Sequence, residues 1–527
     1  MQSQITLKLS PAEAADAAIV RNYIARSAGK TDASITGYHI LKQSIDARGR
    51  QVWINLTVRA FIDEPFHLRE NIRVSFRDVS RSPYSVIIVG AGPAGLFAAL
   101  RLLEAGIKPV ILERGKNVRD RRRDLAALNK AGIVNPESNY CFGEGGAGTY
   151  SDGKLYTRSS KRGNINRVLQ LFHQFGAEEN ILYEAHPHIG TNKLPHIITA
   201  MRQQVIDAGG VFLFEKKLTD LVISQQEIKG VITADGEILK ADAVVLATGH
   251  SARDVFELLH RKNILIEAKP FALGVRIEHP QSLIDSIQYH NPIRDPFLPP
   301  ASYGVVEQVN DRGVFSFCMC PGGIIAPAAT HPGELVVNGW SPSKRNNVHA
   351  NSGMVVQITL EDAQKHFART RPQLLSSPLL LMYFQQAVEQ AAYQAGGGAL
   401  VAPAQRVVDF CMGNASTDLP DCSYLPGITP ANLGAVLPGF VYQSLQAALK
   451  AFGNRMRGYY TNDAVVVATE SRTSSPVRIP RHNQSLEHPQ IKKLYPCGEG
   501  AGYAGGIVSA AMDGERVAEQ LILRLQA

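Results

Sequence analysis

The chain has 527 residues, an apolar share of 45%, and 55 Lys and Arg against 47 Asp and Glu, a net charge of +8. This length exceeds what one hydrophobic core usually serves, so two or three packed units are expected, and the apolar share excludes a disordered chain. The N-terminal sequence lacks the basic start and apolar core of a secretion signal, and no stretch has the length of a membrane span, so we expect a cytoplasmic protein without a membrane partner.

The first predicted unit is a small α+β module over 1–82. Its pattern is a strand, QITLKL, a helix that begins at Ser10-Pro11, and two strands, GYHILKQSID and QVWINLTVRAFI, joined by a turn. The module has a small basic excess and lacks an aromatic RNA-binding signature. We expect this βαββ unit to act as a lid, a partner-docking unit or a weak RNA contact.

The main fold begins where the apolar run VIIV leads directly into 90-GAGPAG-95 and a helical segment. A strand, a Gly-x-Gly-x-x-Gly turn and a helix in this order are typical of a dinucleotide-binding βαβ unit. Gly90 permits the tight turn, Gly92 lets the backbone approach a pyrophosphate, and Gly95 lets the helix pack closely. The next strand ends at Glu113, where a carboxylate is expected to bind ribose hydroxyls. The acid argues against a 2′-phosphate at this site.

A second Gly-x-Gly-x-x-Gly match, 143-GEGGAG-148, lacks both a preceding strand and a following helix. It therefore fails the requirement for a second dinucleotide-binding domain. A loop rich in glycine nevertheless lets the backbone pass close to a flat ligand, and we predict that it forms part of the first nucleotide's site. A glycine-rich surface loop without a ligand is the alternative.

The region 211–249 predicts more strands of the same parallel sheet, with FLFEKKLTDLVIS and AVVLATG on either side of a turn at Asp235-Gly236. The region 271–480 is richer in Pro and Gly. Its composition predicts a mixed α+β domain inserted into the first.

Several segments together resemble the flavoproteins of the glutathione reductase superfamily, whose N-terminal βαβ unit binds the ADP half of FAD. Besides the first glycine motif, 244-VVLATG-249 is similar to the strand that returns to the nucleotide, and 494-LYPCGEGAGYAGGI-507 is similar to the closing strand and helix. Gly498-Glu499 stands where that superfamily has Gly-Asp. More narrowly, YCFGEGGAGTYSDGKL, ATGHSARDVF, FALGVRIEHPQ, FSFCMCPGG and ESRTSSPVRIP resemble bacterial FAD-dependent dehydrogenases without a defined substrate.

The resemblance implies an α/β fold with a discontinuous, Rossmann-like FAD-binding domain formed by 83–270 and 481–527. The mixed α+β substrate domain, 271–480, is inserted between these parts, and FAD is the implied cofactor. The residues that the resemblance places against FAD are Gly90, Gly92, Pro93, Ala94, Gly95, Glu113, Arg114, Gly145, Gly146, Ala147, Gly148, Ser151, Leu218, Ala247, Thr248, Gly249, Glu499, Gly500, Gly505, Gly506 and Ile507.

No catalytic residue follows from the sequence, but polar side chains near the expected flavin are candidates. Lys154 can set a positive charge near the ring or be a solvated loop lysine, and His250-Ser251 can transfer protons or only form hydrogen bonds. Arg276 and Arg472 can bind an anionic substrate, with a simple ion pair as the alternative for each.

The six cysteines lack the spacing of a disulfide framework, so reduced thiols are expected. Cys318 and Cys320 flank Met319 on an apparent strand, which predicts both sulfurs on one face. That geometry permits a redox pair, but two buried packing thiols are the commoner outcome and the one we expect. Cys411 and Cys422 add no tetrahedral ligand spacing, so no metal site is predicted.

The leading hypothesis is an FAD-dependent oxidoreductase that moves a hydride between an unidentified small organic substrate and the flavin. The sequence has no second strand-bound glycine fingerprint, so we expect NAD(P)H, if it reacts, to dock only transiently. A flavin-containing RNA-modifying or RNA-associated protein is the alternative, suggested by the net charge and the N-terminal module. The charge run 116-KNVRDRRRD-124 is interrupted by acids, which predicts a solvated helix surface and makes a nucleic-acid partner unexpected. The sequence leaves the oligomeric state open.

Overall fold

The computed structural model describes residues 1–157 and 163–526. Its N-terminal module contains β1 (Gln2–Leu9), α1 (Pro11–Ala15), α2 (Ala17–Ala28), β2 (Ile35–Asp46) and β3 (Trp53–Ile62). The three strands form an antiparallel sheet in the order β1-β3-β2. The single predicted helix is two helices, because the carboxylate of Asp16 accepts the N–H groups of Ala18 and Ile19 and begins α2 there.

The next part of the chain alternates strands and helices. Its elements are β4 (Ser85–Val89), α3 (Pro93–Glu104), β5 (Lys108–Leu112), α4 (Val118–Ala131), α5 (Ile165–Gln174), α6 (Leu194–Asp207), β6 (Val211–Leu213), β7 (Leu218–Ser224), β8 (Glu227–Thr233), β9 (Ile238–Lys240), β10 (Ala243–Leu246) and α7 (Arg253–Arg261). Alternation of this kind is typical of a parallel α/β sheet.

The elements of the following region are mixed in type. They are β11 (Glu267–Ala268), β12 (Phe271–Pro280), α8 (Gln281–Tyr289), β13 (Val306–Val309), β14 (Arg312–Cys320), β15 (Ile324–Pro327), β16 (Val337–Trp340), β17 (His349–Ile358), α9 (Leu360–Phe367), α10 (Leu380–Ala395), β18 (Ala402–Arg406), α11 (Val407–Met412), β19 (Ile428–Pro430), α12 (Gly439–Arg455), β20 (Val465–Glu470) and β21 (Val477–Arg478). The chain then closes with β22 (Leu494–Pro496) and α13 (Ile507–Leu525).

A parallel five-stranded sheet has the order β22-β10-β4-β5-β6, which confirms the predicted Rossmann-like α/β fold. The C-terminal strand β22 pairs directly with β10, so the end of the chain returns to the nucleotide-binding part. The prediction that all strands within 211–249 join this sheet is wrong for β7, β8 and β9, which form a separate antiparallel sheet. The edge strands β7 and β9 keep exposed positions, whereas β4 and β10 are almost entirely buried, as parallel strands between helices are.

A second, seven-stranded sheet has the order β13-β14-β17-β12-β20-β18-β19 and is mainly antiparallel. Its central strand β12 is buried over nine of its ten residues. The hydrophobic core beneath it continues into the N-terminal module, where Leu9, Ile24 and Val58 belong to the same cluster as Val275. The four-part division of the chain stays a prediction.

The N-terminal module also bonds to the α/β part through its main chain. The N–H of Gln43 in β2 donates to the carbonyl oxygen of Tyr183, and the N–H of Ala185 donates to the carbonyl oxygen of Gln43, both at 2.9 Å. The module therefore contacts both the core of the second sheet and the α/β part of the chain. Within the described ranges, none of the helices combines the length and the apolarity needed to cross a bilayer.

Candidate functional site

A cavity of about 370 Å³ lies at the carboxyl ends of β4, β5 and β10. Ligands of open α/β sheets bind at this edge. The wall also includes the start of α13 and, from the second sheet, Phe317 and Cys318 of β14. Segments that are far apart in sequence therefore build one site.

Most residues expected to contact FAD line this cavity. They are Gly90, Gly92, Pro93, Ala94, Glu113, Arg114, Gly146, Ala147, Gly148, Ser151, Leu218, Ala247, Thr248, Gly249, Glu499, Gly505, Gly506 and Ile507. Their contact with FAD stays a prediction, but the fold brings them to one place.

Gly95, Gly145 and Gly500 were also expected at FAD, but they are not among the lining residues and instead allow close packing. A methyl group added at Gly95 would lie 2.0 Å from the carbonyl oxygen of Gly90, as the role of this glycine in helix–strand packing predicts. One added at Gly500 would lie 2.4 Å from the carbonyl oxygen of Gly249. At Gly145 it would lie 1.9 Å from the hydroxyl oxygen of Thr149. These glycines shape the wall from behind.

The cavity wall fits the pyrophosphate of a dinucleotide. Helix α3 begins after Gly92 and helix α13 begins after Gly506, so two helix N-termini meet the cavity, and their N–H groups and dipoles favour an anion. Methyl groups added at Gly249, Gly505 and Gly506 would meet no protein atom within 4 Å. Bare backbone therefore borders open space at these points, where a ligand can approach it closely.

The second glycine motif packs against the first. The N–H of Gly145 donates to the carbonyl oxygen of Ala91 at 2.9 Å, and a methyl group added at Gly92 would have the Cα of Gly146 as its nearest neighbour, at 4.0 Å. The loop carries a short 3₁₀ turn over Gly146–Gly148 and no strand before it. Both matches therefore border one cavity, and the contact of the second loop with the nucleotide stays a prediction.

Arg121 holds the second glycine loop in place. Its guanidinium donates to the carbonyl oxygens of Asn139 and Glu144 at 2.8 Å and of Tyr140 and Gly146 at 2.9 Å. The side chain is completely buried. Four carbonyl groups of the loop are thereby satisfied by one cation.

The prediction of a solvated surface for 116–124 is therefore wrong at Arg121. The missed signal is helical periodicity, because Val118, Arg121, Leu125 and Leu128 are the buried residues of α4 and follow one another at helical spacing. An arginine at such a spacing lies on the inner face of the helix. The other arginines of the run, at 119, 122 and 123, are exposed.

Glu113 ties the two glycine motifs to the end of β5. It is 4% exposed and accepts the N–H groups of Ala91 at 3.1 Å and of Gly115 and Gly143 at 2.9 Å. Arg114 next to it pairs with Glu137 and Asp254 instead. The carboxylate thus organises the backbone around the place where ribose is expected.

Two titratable groups on the cavity wall have shifted pKa values. Burial, together with Arg472, lowers the pKa of His250 to about 4, so its ring is neutral at pH 7. Its Nδ1 lies 2.8 Å from the hydroxyl oxygen of Ser251. Burial raises the pKa of Glu499 to about 7, although Lys269 opposes this shift. Glu499 can therefore hold or release a proton near neutral pH.

Arg276 and Arg472 are ion-paired and are not among the residues that line the cavity. Arg276 is fully buried and contacts Glu470 at 2.8 Å. Arg472 contacts Glu389 at 3.0 Å and Glu334 at 3.1 Å. For both arginines the ion-pair alternative is confirmed.

Cys318 and Lys154 meet on the cavity wall. The Lys154 ammonium nitrogen lies 3.8 Å from the sulfur of Cys318 and 4.0 Å from that of Cys320, and it also bonds the carbonyl oxygen of Met319. Lys154 is thus a wall residue with partners rather than a solvated loop lysine. The prediction of a regular strand at these cysteines is wrong, because β14 has an irregular register between Phe317 and Cys320.

Aromatic and basic residues that the sequence did not single out also form part of the wall: Phe142, Tyr156, Lys216, Lys217 and Phe317. They come from loops and from the second sheet, so no local motif identifies them. In the part of the chain that the structure describes, no three His, Cys, Asp or Glu side chains are arranged to hold a metal ion.

Four family models match the chain. They are described as an FAD binding domain (residues 83–147), glucose inhibited division protein A (196–281), an FAD-dependent protein, C-terminal domain-like (270–473), and a domain of unknown function (1–61). An uncharacterized protein of Clostridium beijerinckii is 39% identical over 526 residues, with 96% of both chains covered. The chain belongs to this family of FAD-dependent oxidoreductases. FAD is its cofactor, and none of these matches supports the RNA-modifying alternative.

More distant proteins are also similar. The thiamine thiazole synthase of Aeropyrum pernix is 28% identical over 182 residues, which cover 32% of this chain and 55% of that protein. The flavin-dependent brominase Bmp2 is 12% identical with a TM-score of 0.37, and the match covers 84% of this chain and 80% of that one.

Proposed function

We propose that this oxidoreductase transfers a hydride between a small organic substrate and its flavin, with the substrate bound between the parallel sheet and the second sheet. The observation that supports it is the composition of the cavity wall, where the glycine turn after β4 and the residues Phe317 and Cys318 of β14 line the same space. FAD supplies the hydride chemistry, whereas the protein binds, orients and excludes water.

The residues of the wall divide the tasks of binding. The N-termini of α3 and α13 would hold the pyrophosphate, and Glu113 would reach the adenosine ribose. Lys154 would attract an anionic group on the substrate, because its positive charge lies on the wall and is only 35% exposed. His250 would act as a neutral hydrogen-bonding partner, and Glu499 would exchange a proton near pH 7.

Anaerobic reduction of the purified holoprotein tests this function. The flavin absorbance would be followed after mixing with NADH, NADPH and a panel of small organic acids, amines and alcohols. At least one compound should bleach the flavin at a rate that saturates with its concentration. If dithionite reduces the flavin fully while every organic donor leaves it oxidised, the proposal of hydride transfer from a small metabolite fails.

A matched variant separates substrate binding from cofactor binding. Lys154→Met should retain FAD and should weaken reduction by anionic donors more than reduction by neutral ones, since it removes one charge from the wall. Lys193→Met serves as the control, because Lys193 pairs with Glu178 and is not one of the residues that line the cavity. Transient docking of NAD(P)H and a cytoplasmic location stay predictions.

A further inference from the structure

Two cysteines next to the flavin cavity have no part in the proposed hydride transfer. Cys318 lines the cavity, and Cys320 lies directly behind it, fully buried. The Cys320 sulfur is 3.2 Å from the carbonyl oxygen of Cys318. Both sulfurs lie within 4.0 Å of the Lys154 ammonium nitrogen, so the two thiols occupy one small volume.

The backbone is irregular where the two cysteines lie. Phe317 pairs with Gly353 and Cys320 pairs with Asn351, so β14 carries one more residue than β17 between these pairs. This is the arrangement of a β-bulge, which bends a strand and redirects its side chains. Cys318 has a φ of +46°, a conformation that a cysteine rarely adopts. Backbone strain of this kind is concentrated at functional sites.

The charges around the pair favour one thiolate. Lys154, Arg276 and Arg345 are the cations, and Asp152 and Glu470 are the carboxylates of the ion pairs that join them. Counted as charged, these five groups leave one positive charge, which a single thiolate neutralises. The guanidinium of Arg276 is 3.5 Å from the Cys320 sulfur. Packing thiols need only apolar neighbours, so this environment argues against the packing interpretation.

The surroundings shift the pKa values of the two thiols in opposite directions. A hydrogen bond from Cys320, together with Lys154 and Arg276, lowers the pKa of Cys318 against the effect of burial. The same hydrogen bond and burial raise the pKa of Cys320. One thiolate stabilised by the neighbouring thiol is the form that attacks or forms a disulfide.

We propose that Cys318 and Cys320 are a redox-active dithiol that exchanges two electrons with the FAD bound in this cavity. On oxidation, the Cys318 thiolate and the Cys320 thiol form one S–S bond, and the thiol proton and two electrons pass to the flavin. In the reverse direction the flavin returns two electrons, the S–S bond breaks, and the Cys320 sulfur takes up one proton while Cys318 remains a thiolate. The proposal rests on FAD as the cofactor and not on the identity of a hydride donor.

An anaerobic dithionite titration of the oxidised holoprotein tests the proposal. The wild type should take up about four electrons per flavin, two for the flavin and two for the disulfide. The Cys318→Ser/Cys320→Ser variant should take up about two electrons per flavin. A matched Cys411→Ala/Cys422→Ala variant, which removes two cysteines that are not among the lining residues, should keep the value of the wild type.

Peptide mapping gives an answer that does not depend on any variant. The oxidised wild-type holoprotein would be alkylated before and after reduction and then digested. The peptide that contains Cys318 and Cys320 should carry alkyl groups only after reduction. If both thiols are alkylated before reduction, and the titration ends at about two electrons, the pair is not redox-active. Dithionite serves as the electron source throughout, so this result is independent of the search for a hydride donor.

Discussion

The two walls of the cavity differ in how the sequence specifies them. The nucleotide-facing wall is made of glycine turns and helix N-termini, and its contacts are between segments that each form a recognisable local pattern. The opposite wall joins Lys154 to Cys318, which are 164 positions apart in the sequence, through side chains of a loop and of the second sheet. Short local sequence motifs therefore determine cofactor binding, whereas the side chains that face the cofactor from the opposite wall depend on how the two sheets pack together.

The largest expected effect concerns the nucleotide-facing wall. In Gly92→Val, the added side chain would fill the gap between Gly92 and Gly146, so FAD should bind at least about a thousandfold more weakly, or about 4 kcal/mol. Flavin content after purification and the dissociation constant of added FAD measure this. Gly439→Val is the control, because a methyl group there, at the start of α12, meets no atom within 4 Å. Full yellow colour in Gly92→Val would contradict the assignment of this wall.

The second prediction concerns Arg121, whose hydrogen bonds hold the second glycine loop in the nucleotide-facing wall. Arg121→Met removes the side-chain donor of three carbonyl groups, those of Asn139, Tyr140 and Gly146, while that of Glu144 keeps the Thr149 hydroxyl. The apoprotein should therefore lose about 3 kcal/mol of its free energy of unfolding, and FAD affinity should fall with it. Urea unfolding of the apoprotein and FAD titration give the two numbers. Arg123→Met, an exposed arginine of the same helix, should change neither. Equal stability of the two variants would show that the loop does not need Arg121.

The third prediction concerns the pH dependence of Glu499. Burial raises its pKa from 4.5 to about 7 in the folded chain, so folding favours the protonated carboxyl. The stabilisation is fully present below pH 4.5 and is lost as the pH rises through about 7. Glu499→Gln should remove this loss, at most about 3 kcal/mol, from the apoprotein between pH 5 and pH 8. Unfolding curves across that interval measure it, and parallel pH profiles for the two proteins would contradict the shift.

The smallest expected effect concerns only the opposite wall, which carries Lys154 and Cys318. Lys154→Met removes the cation nearest to Cys318, so alkylation of reduced Cys318 at pH 7 should slow by roughly threefold to tenfold while FAD binding stays unchanged. Mass spectrometry of the peptide that contains Cys318 follows the rate. Lys193→Met should alkylate like the wild type. An unchanged rate in Lys154→Met would show that Lys154 does not stabilise the thiolate.

Local sequence patterns predicted the βαβ unit, the role of Gly95 in packing and the union of both glycine motifs. Each depends on backbone geometry that a few adjacent residues determine. The partners of Glu113 were not predictable, since its three donors come from three separate loop segments. Helical spacing predicts that Arg121 is buried, but a charged side chain is usually expected on the surface.

Other features depend on tertiary contacts. The separate sheet of β7, β8 and β9 is not predictable from the sequence, because a short apolar run does not reveal its pairing partner. The bulge at Cys318 requires a comparison of β14 with β17, which lies more than thirty residues later in the chain. Alternation along one strand assumes a regular ladder, and it fails where an extra residue enters.

The attachment of the first sixty residues has a practical consequence. Strand β2 shares main-chain hydrogen bonds with Tyr183 and Ala185, and β1 and β3 contribute to the core below the second sheet. The N-terminal module therefore packs against the rest of the protein and stabilises it. A truncated protein starting at residue 83 would keep every glycine of the cofactor site. It would, however, expose to solvent the apolar side chains of the second sheet that the N-terminal module covers. Such a fragment should precipitate on expression, although nothing that touches the flavin has been removed.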